Sequence, residues 1–229
     1  MATSGSTSAA LTHNGLVPRL ACALASFLVL LLPVSSSTSA SAHRAPEDTV
    51  AVIGDSLTDQ RDAGRARIEY ALQNRGHGGR GIFFWGVGGK SLLAPDSLGT
   101  TTLQNIRAAR AELGHVDTWV IALGTTERFS TRAEVRLGVR RVVSALGTDR
   151  FVWIGTGFYE ADSQLSRRIN AILVNNIAAA PNGRYANWNR YIHNPVRSSE
   201  DLWVFPQDRL HMTEKGYLLR ARYYARTVD

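Results

Sequence analysis

Two short stretches at opposite ends of this chain carry the residue types of nucleophilic acyl chemistry. Ser56 follows Gly54-Asp55 directly after the apolar run Val50-Ala51-Val52-Ile53. Near the C-terminus stands Asp208-Arg209-Leu210-His211. An aspartate three residues ahead of a histidine can fold back within one turn and accept from one ring nitrogen. The other nitrogen is then left to take the proton of a serine hydroxyl. Each half alone also has an ordinary reading, Gly-Asp-Ser as a turn and D-x-x-H as a surface pair. Only a fold that brings positions 56 and 211 together makes them a site.

The elements between them predict such a fold. Residues 49–54 read as a buried strand, because β-branched residues run on without polar alternation. A helix is predicted over 62–75, ended by Gly76. A second strand follows at 82–85 and runs into Gly86-Val87-Gly88-Gly89-Lys90-Ser91. A helix over 102–113 and a strand over 118–123 come next, the strand ending in Gly124-Thr125-Thr126-Glu127. Thr131 and Glu134 form a capping box that opens a helix with Val135, Val139, Val142 and Leu146 on one side. The fourth strand is 151–154, followed by a helix with Leu165, Ile169, Ile172, Leu173 and Ile177 at helical spacing. A short fifth strand is expected at 185–188. Residues 189–210 show little periodicity, and Thr213 caps a last helix through about 225. Strands alternating with helices imply parallel pairing and right-handed crossovers, hence a three-layer α/β/α sandwich with a mainly parallel sheet of about five strands. In such a sheet the polar clusters after the strands share one rim, where ligands bind.

The first residues are of another kind. Arg19 precedes an apolar run from Leu20 to Val34, and Ala40-Ser41-Ala42 closes a Ser/Thr/Ala-rich stretch. A positive flank, a short apolar core and an A-x-A site predict a signal peptide over residues 1–42 and an exported single domain over 43–229. The one cysteine, Cys22, falls within the leader, so the domain depends on its core without disulfides. No second apolar segment is long enough to span a membrane. The formal charge of +7 becomes +6 when Arg19 is removed. The basic residues are scattered, and only Lys90 and Lys215 are lysines. That spread reads as a solvated surface, with anionic envelope polymers as conceivable partners and no nucleic-acid motif.

Other motifs fail. Gly88-Gly89-Lys90-Ser91 lacks the earlier glycine of a phosphate-binding loop, since that position is Phe84. Gly86-Val87-Gly88 lacks the third glycine of a dinucleotide fingerprint, and Thr58 stands where the G-x-S-x-G elbow needs glycine. His77, His115 and His193 have no ligand-spaced partners and read as surface or loop residues. Trp85, Trp119 and Trp153 lie in or beside strands and read as core. Trp203 and Phe205, just ahead of Asp208, can either wall a substrate pocket or pack on the core.

Taken together, Gly54-Asp55-Ser56-Leu57-Thr58, Gly86-Val87-Gly88-Gly89 and Asp208 to Tyr217 resemble the blocks of the SGNH hydrolases, the GDSL esterase and lipase superfamily. The resemblance covers nearly all of residues 43–229. It implies Ser56 as nucleophile, His211 as base and Asp208 as its orienting partner. It also implies an oxyanion hole from the Ser56 and Gly89 amides, with no metal or cofactor. The third block departs, because Thr126 stands where the family has an asparagine whose amide donates to the oxyanion. The expected function is a secreted, monomeric serine esterase acting on small acyl esters: acetylated carbohydrate, envelope acyl groups or short-chain lipid esters. A non-catalytic glycan- or protein-binding relative and an acyltransferase on the same triad are the alternatives. Thr126 enters the expected site as the third wall of the oxyanion hole.

Overall fold

The computed structural model describes residues 48–59, 63–158, 164–197, 200–202 and 210–229. The predicted leader, Trp203, Phe205 and Asp208 lie outside the described residues. Among the described residues, five strands, β1 (Thr49–Gly54), β2 (Gly81–Gly86), β3 (Thr118–Ala122), β4 (Phe151–Ile154) and β5 (Gly183–Ala186), pair in parallel in the order β2-β1-β3-β4-β5. The helices are α1 (Ser56–Asp59), α2 (Ala63–Gln73), α3 (Thr102–Leu113), α4 (Arg132–Leu146), α5 (Gln164–Ile177), α6 (Trp188–Ile192) and α7 (Glu214–Val228). The result is a three-layer α/β/α sandwich.

Alternation along the strands divides the core in two. Val50, Val52, Val120, Ala122, Val152 and Ile154 pack with Ile68 and Leu72 of α2 and with Tyr217, Ala221 and Tyr224 of α7. Ala51, Ile53, Trp119, Ile121, Phe151 and Trp153 pack with Ile106 of α3, Val135 and Val139 of α4, and Ile169 and Leu173 of α5. Both faces are covered, which is why the strands read as unbroken apolar runs. The chain leaves β1 for β2 through α2 and returns from β2 to β3 through α3, on the opposite face. β1 and β3 therefore flank the point where the strand order reverses, and ligands bind outside the carboxyl ends of strands at such a point. Ser56 stands immediately beyond β1.

The C-terminal third departs from the sequence reading. β5 ends at Ala186 and not at Trp188, because the Asn187 side chain accepts from the Arg190 amide and starts α6 instead. The expected long loop holds most of α6 and a 3₁₀ turn at Glu200–Leu202. Elements this short show no period to read.

Candidate active site

The nucleophile turn is set by close approach and capping. A Cβ on Gly54 would meet Thr58 Oγ1 at 2.0 Å, so only glycine lets β1 fold straight into α1. Asp55, fully buried, accepts the Leu57 amide at 3.0 Å, and its carbonyl accepts the Thr58 amide at 2.9 Å. Ser56, the first residue of α1, is left half-buried at the rim.

His211 reaches Ser56 from the other end of the chain, its Nε2 lying 3.2 Å from Ser56 Oγ. The next two residues fix its position. Met212 is fully buried, and Thr213 caps α7 by accepting the Gly216 amide. The Thr213 amide donates to Leu202 O at 3.0 Å and its hydroxyl to Asp201 O, strapping the start of α7 to the 3₁₀ turn. A serine hydroxyl and an imidazole in contact at a sheet's carboxyl rim can transfer a proton while the oxygen attacks a carbonyl.

The loop after β2 supplies the facing wall. The Lys90 amide donates to Val87 O and closes a turn in which Gly89 has φ +75°, the left-handed position that calls for glycine. The space beside Gly89 is open, and a Cβ on Gly88 would lie 4.0 Å from Ser56 Cβ. Among the described residues, neither the Ser56 nor the Gly89 amide is taken up by a hydrogen bond.

Several side chains that the sequence reading missed hold this loop. Lys90 is fully buried, its Nζ 2.7 Å from Asp96 Oδ2. Asp96 also accepts from the Leu98 and Thr100 amides, the Thr100 hydroxyl and Trp85 Nε1. Burial works to raise the Asp96 pKa, but Lys90 and these donors outweigh it and hold the carboxyl well below the usual range. Burial lowers the pKa of the Lys90 ammonium, with Asp96 opposing. Glu127, equally buried, accepts the Leu92 amide at 2.7 Å and the Ser130 hydroxyl at 2.6 Å. Thr126 belongs to the same framework: its hydroxyl donates to Lys90 O at 2.6 Å. Its single proton is thus directed at the loop and leaves only lone pairs for anything else.

Behind the nucleophile, α7 contributes a second buried cation. Arg220, 2% exposed, stacks over the rings of Trp188 and Tyr224, and its Nε donates to Tyr224 Oη at 2.9 Å. Tyr224 Oη in turn lies 3.1 Å from Thr58 Oγ1. Burial pushes the Asp55 pKa up, and the Arg220 charge works against it. This arginine corrects the reading of the basic residues as uniformly solvated. A signal was available, since Arg220 lies inside the α7 stripe of Tyr217, Ala221, Tyr224 and Val228. The remaining expected features are peripheral: His77 bridges Asp48 and Asp229, and His193 contacts Phe158 O. Trp119 and Trp153 are fully buried, while Trp85 is partly exposed and serves Asp96.

No protein-family model matches the sequence, and no curated protein matches it at a significant level. Solved structures do. A carbohydrate acetylesterase family member from Sinorhizobium meliloti superposes with a TM-score of 0.60 at 15% identity, over 79% of this chain and 97% of the other. A protein assigned as an SGNH hydrolase from Slackia heliotrinireducens gives 0.58 at 18% identity, over 80% and 99%. The C-terminal catalytic domain of peptidoglycan O-acetyltransferase A from Streptococcus pneumoniae gives 0.52 at 16%, over 79% and 90%. With its parallel 2-1-3-4-5 sheet and Ser56 at the switch point, this chain has the SGNH-hydrolase fold.

Proposed function

We propose that this chain is an exported serine esterase that cleaves small acyl esters through a covalent acyl-enzyme. The observation that carries the reading is the contact of His211 Nε2 with Ser56 Oγ, 3.2 Å, at the sheet's switch point. Ser56 attacks the ester carbonyl as His211 takes its proton. The oxyanion is met by the Ser56 and Gly89 amides, and His211 returns the proton to the departing alcohol. Water then enters by the same route and releases the acid. Asp208, three residues ahead of His211, is the residue that orients the imidazole and stabilises its charged form. Thr126 serves the oxyanion hole indirectly, by holding the carbonyl of the residue after Gly89. Trp203 and Phe205 are assigned to the acyl or sugar side of the pocket only from their place in the sequence, five and three residues ahead of Asp208. The leader over residues 1–42 delivers a monomeric domain to the cell envelope or beyond. Among the described residues no helix is long and apolar enough to cross a membrane.

The test is hydrolysis of p-nitrophenyl acetate and butyrate by residues 43–229, against Ser56→Ala and His211→Ala. The wild type turns over the acetate, and both variants fall to the uncatalysed rate. A wild type no faster than either variant on every chain length defeats the proposal. The likeness to an O-acetyltransferase domain favours a second reading, in which an acceptor hydroxyl replaces water. It predicts transfer product, at the expense of free acetate, when a glycan acceptor is added.

A further inference from the structure

Arg220 sits in the middle of α7, the helix that follows His211 by three residues. Its guanidinium is sealed from solvent between two aromatic rings, each 5.2 Å away. From it a relay runs to the nucleophile: Arg220 Nε to Tyr224 Oη at 2.9 Å, and Tyr224 Oη to Thr58 Oγ1 at 3.1 Å. Thr58 lies two residues after Ser56, bonded through its amide to Asp55 O and packed on Gly54. Arg220 makes no ion pair among the described residues, but its positive charge favours the ionised form of Asp55, the residue before Ser56, against the burial that opposes it. Among the described residues, Arg220 Nη1 and Asp55 Oδ2 have no partner at hydrogen-bonding geometry. Such orphans need a reason beyond packing.

We propose that Arg220 is a positioning residue for the nucleophile, fixing the Asp55–Thr58 turn through Tyr224 and through the charge of Asp55. The inference rests on the reading of Ser56 as nucleophile. α7 thereby holds both halves of the reacting pair: the Thr213 cap at its start fixes the segment that carries His211, and its interior places Ser56. The ionisable and charged groups that act on Asp55 are Arg220 and Tyr224, both from α7; the Leu57 amide and Thr125 add hydrogen bonds from the other side. Removing the Arg220 charge favours the protonated form of Asp55, so the turn loosens over a wider pH range. Activity is then lost most at low pH, and the acid limb of kcat/KM moves upward.

The experiment measures phosphonylation of Ser56 by a fluorophosphonate probe, together with ester turnover from pH 5 to 9. It uses the exported protein and Arg220→Met, Arg220→Lys, Tyr224→Phe, Asp55→Asn and Asp55→Asn/Arg220→Met. Arg220→Met lowers kcat and the labelling rate by about 10²-fold, the scale of a misplaced reacting group, with KM nearly unchanged. Its acid limb rises. Arg220→Lys keeps the wild-type limb while losing part of the rate, and so separates charge from fold if the methionine variant does not fold. Tyr224→Phe lowers the rate without moving the limb. The double variant is no slower than the slower single one. Wild-type labelling and pH profile in Arg220→Met, or in Tyr224→Phe and Arg220→Lys together, overturn the inference alone. So does a double variant whose losses multiply. A wild type that the probe leaves unlabelled defeats the reading of Ser56, and this inference with it.

Discussion

Two buried cation–carboxylate groups flank the proposed nucleophile, and they are built in opposite ways. Under the Gly89 loop, Asp96 receives Lys90 and four further donors. Behind Ser56, Asp55 receives the Leu57 amide on one oxygen, while its other oxygen has no partner at hydrogen-bonding geometry among the described residues and Thr125 acts on the carboxyl only weakly from nearby. The two carboxyls respond accordingly, Asp96 held below the ordinary range and Asp55 pushed above it. A buried charge that is fully bonded repays its desolvation, and one that is not costs stability. The first group is a clamp that adds a bonded ion pair to a loop whose apolar anchor is Leu92. The second is a cost beside the proposed nucleophile, and under the proposal above it is the one that sets the turn. Stability and activity should therefore separate between the two sites.

The sharpest way to break this comparison is to neutralise each carboxylate in turn. Asp96→Asn leaves the Lys90 ammonium buried without its counter-charge. It should lower the unfolding free energy by about 3–5 kcal/mol in urea titration, the usual cost of removing one partner of a buried pair. Asp55→Asn removes a poorly bonded buried carboxyl but leaves the Arg220 charge without it, so it should cost distinctly less stability than Asp96→Asn while lowering ester turnover by about 10²-fold. If Asp55→Asn unfolds as readily as Asp96→Asn, the distinction between clamp and positioning group is lost.

The fold was legible because burial on both faces leaves a plain trace. Val50 to Ile53, Trp119 to Leu123 and Phe151 to Ile154 read as strands without any knowledge of their partners. The Thr131 capping box marked the start of α4 as it stands in the structure. The matching box at Thr101 and Gln104 carries the same residue types at the start of α3. The pairing of Ser56 with His211 was legible only through the resemblance of the blocks, since nothing in spacing alone joins positions 155 apart. Lys90 was not legible. Its burial depends on Asp96, Thr100 and Asn105, which lie in or just beyond an aperiodic loop, and its neighbours Gly88, Gly89 and Ser91 suggest an exposed, anion-facing turn. Arg220 was obscured differently. In a chain whose basic residues are nearly all arginine, one inside an apolar stripe is easily counted with the rest. Trp203, Phe205 and Asp208 fall outside the described residues and stand as part of the proposal.

A smaller effect tests whether the loop clamp reaches the chemistry. Thr126→Val removes the proton that Lys90 O accepts and should cost about 1 kcal/mol, roughly fivefold in kcat. Thr126→Ser keeps the bond and should remain within about twofold of the wild type. Thr126→Asn gives the chain the residue of the SGNH pattern but gives up the hydroxyl bond to Lys90 O. Because the surrounding loop is built on that bond, the asparagine variant should be slower than the wild type. A gain of about 10²-fold, the value of a restored oxyanion donor, would instead mean that the wild-type hole is incomplete and that the clamp is incidental.

The finest test is the pH dependence of stability, where the two carboxylates carry opposite signs. Asp96 titrates below its unfolded value, so its contribution is complete above the ordinary carboxylate range and is lost as pH falls through the folded value, in strong acid. Asp55 titrates above its unfolded value. From about pH 4 up to that raised value the native state binds more protons than the unfolded chain, so stability falls as pH rises. The slope of a single group is at most about 1.4 kcal/mol per pH unit. Urea midpoints of wild type and Asp55→Asn from pH 4 to 8 isolate it. Asp55→Asn leaves Arg220 buried, but that offset does not change with pH, so the slope of the difference is the quantity to read. Asp55→Asn should gain on the wild type as pH rises through this window, whereas Asp96 contributes no slope there, since its own contribution changes only below about pH 4. A flat difference for Asp55→Asn would mean that Arg220 and Thr125 offset the burial of Asp55 in full. The two carboxylates would then differ only in which wall of the site they support.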